Sequence, residues 1–301
     1  MSNNPHISVK PAELLHPIKR TNEDSVETFL LELRSEESVT CFGCTAKGGG
    51  LITTFSLDGV NILADERVGP MYGSTFWTSP QSDWEWPPPE EIDNDNYKVE
   101  VNEEQPCITL TSQVAKSLDV QVIKRFKPVL DRQAIALEYE IRNSGSTPRR
   151  FAPWEISRVL PGGLTFYPTG DGNITYGPCE PLPTSTQNGI TWFHHTKEHV
   201  TGQHKLFADG KQGWIAHVSG NLIFIKTFED TTPDVAAPGE GEIEIYATPE
   251  YEEVEQQGAF SEIAPGQSTI WTVNWYLRKL QEDIRIGSGS ESLIRFVQSV
   301  I

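Results

Sequence analysis

The sequence predicts an all-β fold, one large antiparallel β-sandwich closed by a short C-terminal helix. Three observations carry this expectation. Short segments in which apolar and polar residues alternate follow one another along most of the 301 residues, which is the period of strands with one buried face. The 24 glycines and 21 prolines suit many turns between many short strands. Helical periodicity is confined to the tail. The length admits one large domain or two ordinary ones, and no linker interrupts the strands. A single domain over 26–301 is therefore expected, after a polar, proline-broken arm over 1–25.

Taken in order, 26–33 is the first strand. Segments 51–57 and 60–63 flank Asp58-Gly59, a two-residue hairpin signal because both turn positions need positive φ. Segments 107–114, 118–126 and 135–141 form a meander, turned at Asn143-Ser144-Gly145. Strands follow at 150–159, 190–193, 213–218, 222–228, 242–246 and 269–277, with Ser219-Gly220-Asn221 closing a further hairpin. The tail, 291–300, places Leu293, Ile294, Phe296, Val297 and Val300 on one helical face after a run of serines, so it should dock on the outside of a sheet. Lys47-Gly48-Gly49-Gly50 enters a strand rather than a helix and reads as a turn, not a phosphate loop.

Charge narrows the partners. A formal net charge of −18 and a pI near 4.8 repel nucleic acid and anionic lipid, so neither is expected. No run of about 18 apolar residues is present, so no membrane span is expected. No basic start precedes an apolar stretch, so no secretory signal is expected either. Four cysteines in a chain of this length are too few for a disulfide scaffold, and Cys41-Phe42-Gly43-Cys44 lacks a second close pair to complete a zinc set. A reduced, cytoplasmic protein without metal or cofactor is the expectation. Exposed strand edges in so large a sandwich are compatible with a homodimer.

The segment most suggestive of function runs from Tyr72 to Pro89. It holds Trp77, Trp84 and Trp86 among Gln81, Asp83 and Glu85, and ends in three prolines. Proline fixes φ and removes amide donors, so the segment reads as a stiff loop rather than a central strand. Flat aromatic faces beside carboxylates and amides match a sugar's apolar C–H faces and its hydroxyls. Two readings stand: one wall of a carbohydrate site, with Trp77, Trp84, Trp86 and Gln81 binding, or a plug that buries the tryptophans on the core.

The order of the segments resembles the galactose-mutarotase-like superfamily, and within it an uncharacterised bacterial branch. Four stretches carry the resemblance. Gly49-Gly50-Leu51-Ile52-Thr53-Thr54-Phe55-Ser56-Leu57-Asp58-Gly59 looks like the opening hairpin of sugar epimerases, and 73–89 like the aromatic–proline loop of that branch. Segment 143–159, ending Ala152-Pro153-Trp154-Glu155-Ile156-Ser157-Arg158, sits where mutarotases run a strand into their acid histidine. Tyr251-Glu252-Glu253-Val254-Glu255-Gln256, followed by Ala264-Pro265-Gly266-Gln267, looks like the strand that carries the base. The resemblance implies a large antiparallel β-supersandwich with a concave face that holds a sugar. It also implies a glutamate that takes the proton of the anomeric hydroxyl and an acid that protonates the ring oxygen. Glu255 stands at the base position. Trp154-Glu155 occupies the place of the acid histidine.

Beside the resemblance, each residue has its own reading. Glu255 and Glu253 alternate on a strand and share a face. Glu155, in an otherwise apolar segment, is either a site acid or hydroxyl ligand, or one half of an ion pair with Arg149, Arg150 or Arg158. Arg158 and Arg67 are candidate hydroxyl ligands, Arg67 also reading as a surface arginine. Trp154 reads as core, and His217 as a satisfied strand histidine. Of His194 and His195, adjacent on a strand, one at most can enter a site. The expected function is therefore a carbohydrate-active protein, an epimerase- or mutarotase-like isomerase that pairs Glu255 with Glu155, or with a histidine such as His194 or His195, for acid–base chemistry. The alternatives are a non-catalytic carbohydrate-binding protein on the same scaffold and, third, a sugar lyase or hydrolase.

Overall fold

The computed structural model describes residues 10–16, 18–23 and 26–301. Residues 1–9, 17, 24 and 25, all within the expected arm, lie outside the described residues. The rest of that segment contributes two short strands, Glu13–Leu14 and Lys19–Glu23, both paired with Val26–Arg34.

Two large sheets pack face to face, with thirteen and ten strands among the described residues. Along the first, the order is Glu13–Leu14, Val26–Arg34, Val39–Thr45, Ile52–Leu57, Ser74–Ser79, Arg149–Val159, Glu252–Gln257, Ile243–Ala247, His204–Ala208 and Glu180–Pro181. The last pair is parallel; the others are antiparallel. The second sheet runs from Thr184–Gln187 through Ile190–His194, Leu164–Pro168, Trp214–Ser219, Leu222–Thr227, Ser268–Lys279, Ala134–Asn143, Val120–Val129 and Cys107–Ala115 to Lys98–Asn102. Among the described residues, no helix is long and apolar enough to cross a membrane.

Strand alternation builds the core between the sheets. Phe42, Phe55, Phe76, Phe126, Tyr139, Phe224 and Trp275 are all buried and meet edge to face, tilted or stacked, the last at Phe76–Tyr139, where the centroids are 4.3 Å apart. Each such side chain contributes about 1.5–3 kcal/mol by leaving water. The predicted Asp58-Gly59 hairpin forms as read. Both residues take positive φ, 50° and 83°, and Leu57 pairs with Val60.

The tail folds as the helix Glu291–Val300. Ser290 caps it by accepting the Leu293 N–H at 3.2 Å. Leu293 and Val297 pack with Phe166, Trp192, Trp214 and Tyr276. Trp275, next to Tyr276, belongs to the core between the sheets, so this cluster lies on the outer face of the second sheet.

One expectation is corrected. The stretch Tyr72–Pro89 is not a single loop, because Ser74–Ser79 is a strand in the middle of the first sheet, paired through six residues with Arg149–Val159. Its serines and threonines look loop-like in sequence, yet all six residues are buried. Ser74 Oγ finds partners in the Ile156 carbonyl at 2.8 Å and Ser157 Oγ at 2.9 Å. The prolines that argued against a strand come after it.

Candidate functional site

Strand register writes the site. On Arg149–Val159, Trp154, Ile156 and Arg158 face one way and Glu155 and Ser157 the other. Pairing carries each face across neighbouring strands. Trp77 stands opposite Trp154, Arg158 opposite Glu253, Glu253 opposite Tyr246, and Tyr246 opposite Lys205. The next row is Ile156, Glu255, Glu244 and Phe207. Both rows lie on the face turned away from the second sheet.

Over this face opens a cleft of about 700 Å³. Its walls include Trp77, Trp86, Trp154, Phe207, Tyr246 and Tyr251, with Glu253 and Lys205 on the floor and Gln81, Glu85 and Glu240 at the rim. The rim loops are tied together where the Gln81 N–H donates to Glu240 Oε1 at 2.9 Å.

Beneath the floor runs an ionic network. Arg158 Nε donates to Glu253 Oε1 at 2.8 Å, and its guanidinium carbon lies 5.6 Å from the centre of the Trp77 ring. Lys205 Nζ donates to Glu255 Oε1 at 2.7 Å. It also stands 2.7 Å from Glu244 Oε2, out of hydrogen-bond alignment with that oxygen. Trp154 Nε1 donates to Glu255 Oε2 at 2.9 Å, and Gln257 Nε2 to Glu244 Oε1 at 2.6 Å.

Three carboxyls thus face two cations. Burial pushes the Glu244 carboxyl well above the carboxylate range, and Lys205 only partly opposes it. Burial also raises Glu253, against the pull of Arg158. Burial works against the Lys205 ammonium, but Glu244, Glu255 and Glu253 together hold its pKa above the usual lysine value. One ammonium therefore stands between the buried carboxyls of Glu244 and Glu255, and of the two it is Glu244 whose proton affinity burial raises.

The structure brings together part of the predicted set. Trp77, Trp86 and Gln81 line the cleft. Trp77 is nearly buried, while Trp86 is 60% exposed, so the aromatic segment serves as both packing and wall. Trp84 packs behind, its ring 5.7 Å from Trp77 and its Nε1 donating to the Thr78 carbonyl at 2.8 Å. Trp154, read from sequence as core, is buried and also forms wall.

Arg158 is buried under the floor. Arg67 is not part of the site: it is exposed and pairs at 2.7 Å with Asp65, two residues away. Glu255 lies on the cleft side but is fully buried beneath Trp154 and Lys205.

Glu155 is on the opposite face, inside the sandwich, so the expected facing pair of Glu155 and Glu255 does not form. Glu155 accepts from Tyr139 Oη at 2.7 Å, Gln256 Nε2 at 2.7 Å and Trp275 Nε1 at 2.9 Å, and pairs with Lys226 at 3.0 Å. Its ion-pair reading holds, with a lysine of the second sheet in place of the arginines considered. The physical reason is parity: Glu155 is in register with Gln256, so Glu255 must point the other way.

No histidine among the described residues lines the cleft. His195 is buried, with Nε2 2.9 Å from the Thr248 carbonyl. His217 is buried beside Thr165 Oγ1 at 2.8 Å. Sequence reasoning missed Lys205, Tyr246, Glu244 and Glu240, and named Glu253 only for sharing a face with Glu255. The signal for Tyr246 and Glu244 was present in Ile243-Glu244-Ile245-Tyr246-Ala247, whose isoleucines are buried in the core.

No protein-family profile and no curated protein matches the sequence. Solved structures do match. The chain is similar to a galactose mutarotase-like protein from Lactobacillus casei, at 12% identity over 83% of this chain and 100% of that one, with a TM-score of 0.58. It is similar to a galactose mutarotase-like protein from Clostridium acetobutylicum, at 12% identity over 87% and 98%, TM-score 0.55. It is also similar to the galactose 1-epimerase of Lactobacillus acidophilus, at 11% identity over 88% and 100%, TM-score 0.51. Identity this low carries the architecture and not the chemistry, and the architecture is unambiguous: this chain is built on the galactose mutarotase-like fold.

Proposed function

We propose that this protein binds a carbohydrate in the cleft above Glu253 and Lys205. The observation that supports the reading is the convergence of six aromatic rings, from Trp77, Trp86, Trp154, Phe207, Tyr246 and Tyr251, around a carboxylate, an ammonium and the amide of Gln81. Rings stack on the C–H faces of a pyranose, and the polar groups exchange hydrogen bonds with its hydroxyls. The four free cysteines suit work in a reducing, cytoplasmic setting. Titration of tryptophan emission and thermal shift against mono- and oligosaccharides test the proposal. A saturable response that Trp86→Ala weakens supports it; a flat response across the panel refutes it.

A second reading, favoured by the raised Glu253 carboxyl, is isomerisation of a sugar hemiacetal. Glu253 then replaces Glu255 as the base, because Glu255 is sealed from substrate. It takes the proton of the anomeric hydroxyl while the bond from the anomeric carbon to the ring oxygen breaks; that oxygen takes a proton from water, and the hydroxide left behind recovers the proton held by Glu253. Glu253→Gln separates the two readings. Under isomerisation it abolishes anomer exchange with little loss of binding. Anomer interconversion equal with and without the wild-type protein rejects catalysis and leaves binding.

A further inference from the structure

The charges of the cleft point to a kind of sugar, an inference that rests on the carbohydrate reading above. Four charged side chains line the cleft: Glu85, Glu240, Glu253 and Lys205. The one cation among the described residues of the lining is already committed, since Lys205 Nζ lies 2.7 Å from both Glu244 and Glu255. Arg158, the arginine that pairs with Glu253, is buried and lies against the Trp77 ring. A phosphate or carboxylate on the ligand would thus enter a cleft that has, among the described residues, no free cation and three carboxyl groups.

The rim carboxylates have no such commitment. Glu240 accepts a neutral partner, the Gln81 backbone N–H. Glu85 stands exposed beside Trp86, on a left-handed backbone with φ of 57°. The remaining walls include six aromatic rings, whose faces attract cations through the ring quadrupole. The net charge of −18 also draws cationic solutes toward the protein and turns anions away.

We propose that the ligand is a sugar bearing a protonated amine, seated against the aromatic walls with its ammonium toward Glu240 and Glu85. Neutral sugars share the stacking but lack the charge contact. Phosphorylated and uronic sugars are rejected.

Isothermal calorimetry on the whole protein tests this with glucosamine and galactosamine against glucose and galactose, their N-acetyl forms and their 6-phosphates. The expected result is an amine form bound about tenfold more tightly than its neutral parent, with the phosphate weakest. Added salt should shrink the amine preference. Glu85→Gln with Glu240→Gln should bring the ratio of amine to neutral affinity toward one. Glutamine at 240 keeps an oxygen for the Gln81 N–H, and Glu85→Gln alone reads the same ratio should the double variant fold poorly. Equal affinity for amine and neutral sugars, or tightest binding of a phosphate, overturns this inference while the carbohydrate reading stands. Binding of none of them overturns both.

Discussion

Replacing Lys205 by methionine should make the stability of the site depend more steeply on pH. Lys205 is the shared counter-ion of Glu244 and Glu255, which face each other in register on adjacent strands and are both fully buried. Its side chain is 12% exposed, so solvent screens little of the interaction. Methionine keeps most of the stem and removes the charge.

Breaking a buried ion pair from one side costs about 3–5 kcal/mol, since the remaining charge stays uncompensated. For a chain of this length that corresponds to about 5–8 °C of melting temperature. The loss should depend on pH with a definite sign. Burial already holds the Glu244 carboxyl above the ordinary value of 4.5, and removing the lysine takes away the charge that opposes this. The folded state then binds more protons than the unfolded one, and the stability that this brings is present below that value and fades as pH rises through the folded pKa values.

Thermal and denaturant unfolding at about pH 5 and about pH 8 should therefore show a small deficit in acid and the full deficit in base. Adding Glu244→Gln should restore much of the loss at the higher pH, because one buried carboxyl then remains and Trp154 Nε1 still donates to it. A deficit below about 1 kcal/mol at both pH values would refute the network as drawn, because a buried pair should cost several times that. A double variant no better than the single at high pH would do the same.

Three further outcomes follow from the same contacts. Trp86→Ala removes the most exposed ring of the cleft; calorimetry should show about a five- to tenfold loss of sugar affinity, with the melting temperature moved by no more than about 2 °C. Glu155→Ala leaves the ammonium of Lys226 buried without its carboxylate, so denaturant unfolding should show a loss of about 3–5 kcal/mol, while Arg67→Ala, at an exposed pair, should leave the unfolding curve in place. Glu252→Gln removes a buried carboxyl that burial pushes up to about 8, partly against the Thr165 hydrogen bond. Its folded pKa lies above the unfolded one, so the wild type loses stability as pH rises toward that value; the variant should show a flatter stability profile there by urea unfolding across pH.

Much of the fold was readable because its signals are local. Asp58-Gly59 announces a hairpin since the turn demands two residues at positive φ. The tail announces a helix because Leu293 and Val297 repeat at the spacing of one face. Ser74–Ser79 was not readable: its serines and threonines are buried through hydrogen bonds to Arg149–Val159, and nothing within six residues specifies a partner so far along the chain. Glu155 shows the same gap at the level of function. A carboxylate in an apolar strand was correctly suspect, but which layer it enters depends on register.

The sequence by itself determined the class of fold, the aromatic character of the 72–89 segment and the net charge of −18, because composition, period and turn chemistry are properties of neighbouring residues. Only the tertiary structure decided that Glu253 rather than Glu255 reaches the cleft, that Lys205 is its cation, and that Glu155 belongs to the interior. Successive strand residues point to opposite faces, so a one-residue change of register exchanges floor and core. Register is set by pairing between segments as far apart as Trp77, Trp154, Lys205 and Glu253.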